Sequence, residues 1–152
     1  MMNKLFNTAF ENSLRLMILL DVFETPQTLD MIYVTDFMAT YGATFGVAET
    51  DLNGDNQYKF SEFASRREIV KRSLKELVLA ELVIALNMES GITYTISPEG
   101  EDHCAKLDSD YAKEYRESAV RVVKLVSEKS ERALISRINR MSAKSIQIGV
   151  PK

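Results

Sequence analysis

Cysteine and histidine are nearly missing from this chain of 152 residues, which has one of each, His103 and Cys104, side by side. A single thiol excludes an internal disulfide framework and fits a reducing compartment. A zinc site built from Cys and His, or a Cys/His nucleophile pair, would need ligands that the sequence does not contain. The simpler reading is a small buried thiol beside a surface imidazole. Long apolar runs are missing too: LMILL near the start is flanked closely by acids and amides, and no small-residue cleavage site follows it. Neither a signal peptide nor a membrane span is therefore expected, and the expected location is cytoplasmic. No glycine-rich phosphate loop and no internal repeat occurs. The acids Glu99, Glu101 and Asp102, like Asp108 and Asp110, stand at helix starts, where carboxylates offset the helix dipole without any chemistry. The expectation is a protein that is not an enzyme, has no catalytic residues and needs no cofactor. An excess of positive charge is absent as well, with 19 Lys and Arg against 22 Asp and Glu and a net charge of -3. That balance argues against coating nucleic acid through the whole surface, and leaves room for a local basic face.

What is present is an ordinary globular composition, 45% hydrophobic and 27% charged, enough for one compact domain or a domain with an extension. From Leu5 to Phe23 the residues Phe6, Phe10, Leu14, Met17 and Leu20 recur every three or four positions, and Leu16, Ile18 and Leu19 widen the stripe into an amphipathic helix. Pro26 ends the turn after it. Thr28 is the expected cap of a second helix carrying Leu29, Ile32, Tyr33 and Phe37, which Gly42 terminates. Residues 42–58 read as a long loop. A third helix follows in SEFASRREIVKRSLKELVLAELV, with Ser61 as its expected cap and Ile69, Val70, Leu74, Leu77, Val78 and Leu82 at helical spacing. The apolar run 82–86, the turn NMESG and the alternating ITYTIS make a hairpin. Ser97 followed by Pro98 opens a short fourth helix.

This order, three helices, a hairpin and a helix, is that of a winged helix-turn-helix domain, mainly α with a small β-hairpin (α+β). It is expected over residues 1–107. Residues 108–142 read as an appended C-terminal helical arm, whose stripe of Tyr111, Tyr115, Val122, Val126, Leu134 and Ile138 suits a partner's helices or, equally, closes the core of the same domain or of a homodimer. Residues 143–152 hold no helical period and are expected to be a flexible tail.

The third helix of a winged domain commonly enters the DNA major groove. Here Arg67, Lys71 and Lys75 fall at i, i+4 and i+8 with Arg66 and Arg72 alongside, a stripe suited to double-stranded DNA phosphates, although Glu68 and Glu76 interrupt it. A charged helix face is also what plain solvated surface looks like, and winged domains frequently serve as protein-docking blocks.

One loop imitates a metal site. In DLNGDNQYKFSEF the oxygen-ligand positions of a calcium loop are filled by Asp51, Asn53, Asp55, the Gln57 carbonyl, Lys59 and Glu62. Asn56 stands where the sharp turn takes glycine, Lys59 brings a cation to the ninth position, no helix is expected before Asp51, and there is no second loop. A polar turn leading into the third helix is the preferred reading, with no metal; a calcium-binding module is the alternative. A stand-alone transcription regulator is another.

Three blocks, MNKLFNTAFENSLRLMILL from Met2, YKFSEFASRREIVKRSLKELVLAELV from Tyr58 and SDYAKEYRESA from Ser109, together resemble the middle component of bacterial ABC-three-component conflict systems. That group includes the small subunit of Lamassu-type anti-phage and anti-plasmid defence. The resemblance covers most of the chain, from Met2 to about Met141, and carries no catalytic motif. It implies a non-catalytic adaptor between an SMC/Rad50-like ABC ATPase that senses DNA and an effector, commonly a nuclease, kept silent until foreign DNA is engaged.

Overall fold

The sequence segment with the densest apolar residues becomes the centre of the molecule. In the computed structural model, which describes residues 9–49, 51–52 and 59–149, helix α1 (Ala9–Phe23) is buried without a break from Leu14 to Leu20. A helix enclosed all round belongs inside a core, so α1 is more than the one-sided helix expected. Helix α2 (Leu29–Thr40) is buried from Ile32 to Thr40, and its start is capped as expected, the Thr28 hydroxyl accepting from the Met31 N–H at 3.2 Å. Helix α3 (Lys59–Leu79) begins two residues before the expected cap Ser61, which places Glu62 in its first turn. Phe37 of α2 is the hub that joins these helices, with ring centroids 4.8 Å from Phe63, 5.1 Å from Tyr41 and 6.0 Å from Phe45.

The hairpin forms where alternation places it, as β2 (Val83–Met88) and β3 (Gly91–Ile96), in antiparallel register from Val83 opposite Ile96 to Met88 opposite Gly91. A strand that periodicity does not reveal joins it. Gln27 and Thr28 form β1 (Gln27–Thr28), opposite Tyr94 and Thr93, so the sheet order is β1-β3-β2. The class is thus mainly helical with a small antiparallel sheet, α+β as expected.

Helix α4 (Pro98–Ala105) starts on the expected Ser97 cap, whose hydroxyl accepts from the Gly100 N–H at 3.0 Å and donates to the Glu81 carbonyl at 2.8 Å. Glu81 itself takes a left-handed turn (φ 66°) between α3 and β2. The approach is close: a Cβ added at Gly100 would lie 2.2 Å from the Leu82 carbonyl oxygen. Gly100→Ala is therefore expected to lower stability by about 1–3 kcal/mol, because backbone has to move. Chemical denaturation checks this, and an unchanged midpoint would contradict the packing.

Helices α5 (Asp110–Val126) and α6 (Glu131–Gly149) do not form a separate arm. The buried stripe of α5, Ala112, Tyr115, Ala119, Val122 and Val126, lies against α1 and α2 and joins the one hydrophobic core. Ser118 donates to the Ala39 carbonyl at 2.7 Å, and Arg116 reaches Asp21 at 2.9 Å. Leu134 and Ile138 of α6 are buried in the same core, and α6 packs on α2 and α3. Its start is tied to the α2 cap by a hydrogen bond from the Thr28 hydroxyl to Glu131. The expected boundary at residue 108 thus crosses one continuous core. The expected flexible tail is corrected as well, since α6 continues to Gly149; residues 150–152 lie outside the described residues.

Candidate functional site

Helix α3 carries most of the candidate residues, and its periodicity sorts them. Phe63, Arg66, Val70, Leu74 and Leu77 follow each other at three or four and are buried, whereas Glu68, Lys71, Arg72, Lys75 and Leu79 are exposed. Arg66 is on the inner stripe. Its Nη1 donates to Asp36 Oδ2 at 3.2 Å and to Thr40 Oγ1 at 2.9 Å, and its Nη2 donates to Glu62 Oε1 at 3.4 Å. The guanidinium lies 5.6 Å from the Phe37 ring centre. With 3% of its surface accessible it has no route to a phosphate, so the expectation of nucleic-acid contact fails for Arg66.

Asp36 is the centre of this interior network. Arg15 Nε donates to Asp36 Oδ1 at 3.0 Å, and the Tyr115 hydroxyl donates to the same oxygen at 2.8 Å. Arg15 also donates to Asn12 and, from Nη1 at 3.1 Å, to the Tyr111 hydroxyl. Arg15, Asp36 and Tyr115 are wholly inaccessible. Burial alone would push the Asp36 carboxyl up, but the Arg15 and Arg66 guanidiniums and the Tyr115 hydroxyl hold it below the usual carboxylate value. Burial and the neighbouring Asp36 charge push the Tyr115 hydroxyl well above the usual phenol value, so it stays a neutral donor. The network joins α1, α2, α3 and α5 through charge-assisted bonds, and Arg15, Asp36, Arg66 and Tyr115 at its centre are at most 3% exposed.

The six residues expected to meet a partner are placed by the same arrangement. Tyr115, Val122, Val126, Leu134 and Ile138 are buried in the chain's own core, and Tyr111 is half-buried with its hydroxyl on Arg15. Of the alternatives the sequence leaves open, the stripe closes this core.

The basic residues of the outer face remain. The Arg67 side chain is 41% exposed and held by Asp30, Nε to Oδ1 at 2.7 Å, an interaction that raises its pKa. Lys71, Arg72 and Lys75 are exposed, and among the described residues none of the three is in an ion pair. They border a groove of about 460 Å³ between α3 and the hairpin, whose other walls are largely apolar, Leu79, Ile92 and Tyr94 among them.

The calcium-like residues do other work where they are described. Asp51 accepts from the Thr44 N–H at 3.1 Å and hydroxyl at 3.0 Å, closing a turn, and Glu62 accepts from the Tyr41 hydroxyl at 3.1 Å as well as from Arg66. Asn53 and Asp55 lie outside the described residues. Cys104 is buried, and burial pushes its thiol up to about 11, which makes it a poor nucleophile; His103 beside it is exposed.

The model of the ABC-three component (ABC-3C) system Middle Component 2 family matches residues 5–148. The chain belongs to that family. No curated protein and no solved structure matches it. As a middle component it works with the other components of such a system, and no helix among its described residues is long and apolar enough to cross a membrane. In this middle component the residues that periodicity misses are Arg15 and Asp36. Their signal is a lone cation in NSLRLMILL and a lone acid in YVTDFMA, opposite charges at the centres of apolar helices.

Proposed function

We propose that this chain is the non-catalytic adaptor of a bacterial defence complex of Lamassu type, acting in the cytoplasm against phage and plasmids. It links an SMC/Rad50-like ABC ATPase that senses DNA to an effector nuclease, and helps to hold the effector inactive until foreign DNA is engaged. The observation that carries the reading is the match to a middle-component family along residues 5–148. A winged-helix reading is supported by the element order and by the sheet order β1-β3-β2, in which a short strand before α2 pairs with the hairpin behind α3. The non-catalytic reading is supported by the use of Arg15, Asp36, Arg66 and Tyr115 on one another, with their charges and protons committed to joining helices. Co-expression with the other components of the system, followed by purification through a tag on this chain, tests the proposal. A stoichiometric complex is expected, and a partner-free monomer would contradict it.

A second reading rests on one observation. Lys71, Arg72 and Lys75 stand exposed beside the hairpin, where a stand-alone winged-helix transcription regulator would meet DNA phosphates. Apolar Leu79 and Ile92 in the same groove weigh against it, because a phosphate backbone gains nothing from an oily wall.

A further inference from the structure

The outer face of α3 and the facing side of the hairpin make a surface that is both basic and apolar. Leu79 is 73% exposed and Ile92 55% exposed, and both stand on the groove with the half-buried Tyr94. The register explains the geometry: Tyr94 is paired with Ala85 and Ile92 with Asn87, all on the side of the sheet that turns toward α3 beyond the buried pair Val83 and Ile96. Along the opposite wall Lys71, Arg72 and Lys75 come at i, i+1 and i+4, with Leu79 one further turn on. Among the described residues Glu68 is the one acid on the groove, against these three cations.

Each element of this surface narrows the occupant. Three cations with no ion-pair partner among the described residues call for negative charge. Exposed Leu and Ile side chains on the same groove call for apolar side chains, which the phosphate edge of a duplex does not offer. From Glu68 to Leu79 the helix wall runs about 17 Å, and six-residue strands on the other side run about as far, which fits some three turns of a helix laid between them. We infer that the α3–hairpin groove binds an acidic amphipathic helical segment of another component of the system, with its apolar face on Leu79, Ile92 and Tyr94 and its carboxylates on Lys71, Arg72 and Lys75. This inference rests on the adaptor reading and gives it a place on the surface. It also assigns the basic stripe of α3 to protein instead of DNA.

The test uses the co-expressed complex purified through a tag on this chain. A benzophenone amino acid replacing Ile92 is photo-activated in the intact complex, and the cross-linked segment is sequenced by mass spectrometry. The expected product is a helical segment of a second component, net negative, with apolar residues every three or four positions. Two paired variants quantify the contact: Lys71→Glu with Lys75→Glu, expected to weaken retention of that component about tenfold, and Leu79→Ser with Ile92→Ser, expected to weaken it about thirtyfold. All four side chains are outside the core, and the circular dichroism melt of each variant establishes that it is folded. A 20-base-pair duplex titrated against the free chain is the counter-probe. Duplex binding abolished by the lysine pair and unaffected by the Leu79 and Ile92 pair would overturn the inference in favour of DNA. A complex that forms undiminished with both paired variants would overturn it and leave the adaptor reading standing. If the unaltered chain yields no complex, the adaptor reading itself fails.

Discussion

Asp36→Asn should destabilise the chain by about 3–5 kcal/mol, a large share of the total stability of a domain this size. The substitution keeps the shape of the side chain and removes the charge. Arg15 and Arg66, both buried, would then face an amide in place of the carboxylate that both now bind, at 3.0 and 3.2 Å. A buried guanidinium without that charge retains its desolvation cost and loses what offsets it. The same residue sets an acid limit. Its carboxyl is held below the ordinary value of 3.8, so its stabilisation is fully present above that value and is lost as pH falls through the lower folded value. Tyr115 acts at the other end, because its raised pKa means that the neutral hydroxyl's contribution is present below about pH 10 and is lost as pH rises further. Urea denaturation of the two proteins between pH 3 and pH 7 should give a stability that drops toward low pH in the original and a flatter profile in Asp36→Asn. Equal stabilities at pH 7 would mean that the network contributes nothing.

A chain cut after Leu107 is expected not to fold cooperatively. The cut removes α5 and α6, and with them Tyr115, Val122, Val126, Leu134 and Ile138, which are at most 1% exposed in the intact molecule. Burial of side chains of this kind stabilises by about 1.5–3 kcal/mol each, so their loss approaches or exceeds the about 5–15 kcal/mol that such a domain has in total. The cut also takes the Tyr115 hydroxyl from Asp36 and exposes α1 and α2, which are apolar on nearly every side. A broad, non-cooperative melt with strong dye binding is expected. A sharp thermal transition in residues 1–107 would instead support an independent domain carrying an appended arm.

Much of the architecture is legible in local signals. The Thr28 and Ser97 caps, the hairpin turn at Gly91 and the apolar periods of α1, α2, α3, α5 and α6 depend on neighbours close in sequence, which is why spacing finds them. What escapes is long-range. The strand β1 is two residues long and exists because β3 offers an edge to Gln27 and Thr28. Arg66 looks like a member of the basic face because its charge is counted before its phase; the positions 63, 66, 70, 74 and 77 already place it on the inner stripe. Arg15 and Asp36 each look misplaced in an apolar helix, and only the fold brings the two together. The stripe on α5 and α6 declares that it is buried and leaves open against what. Its true neighbours, α1 and α2 for α5 and α2 and α3 for α6, are far away in sequence.

Whether this middle component holds other proteins is measured most directly by the mass of what it carries. The tagged chain, co-expressed with the other components of the system, is purified, treated with a nonspecific nuclease and weighed by light scattering after gel filtration. The expected result is a particle containing this chain and at least one further component, with unchanged mass after nuclease treatment, because protein contacts hold it together. A 17.2 kDa monomer, or a particle that falls apart once nucleic acid is digested, would contradict the adaptor reading.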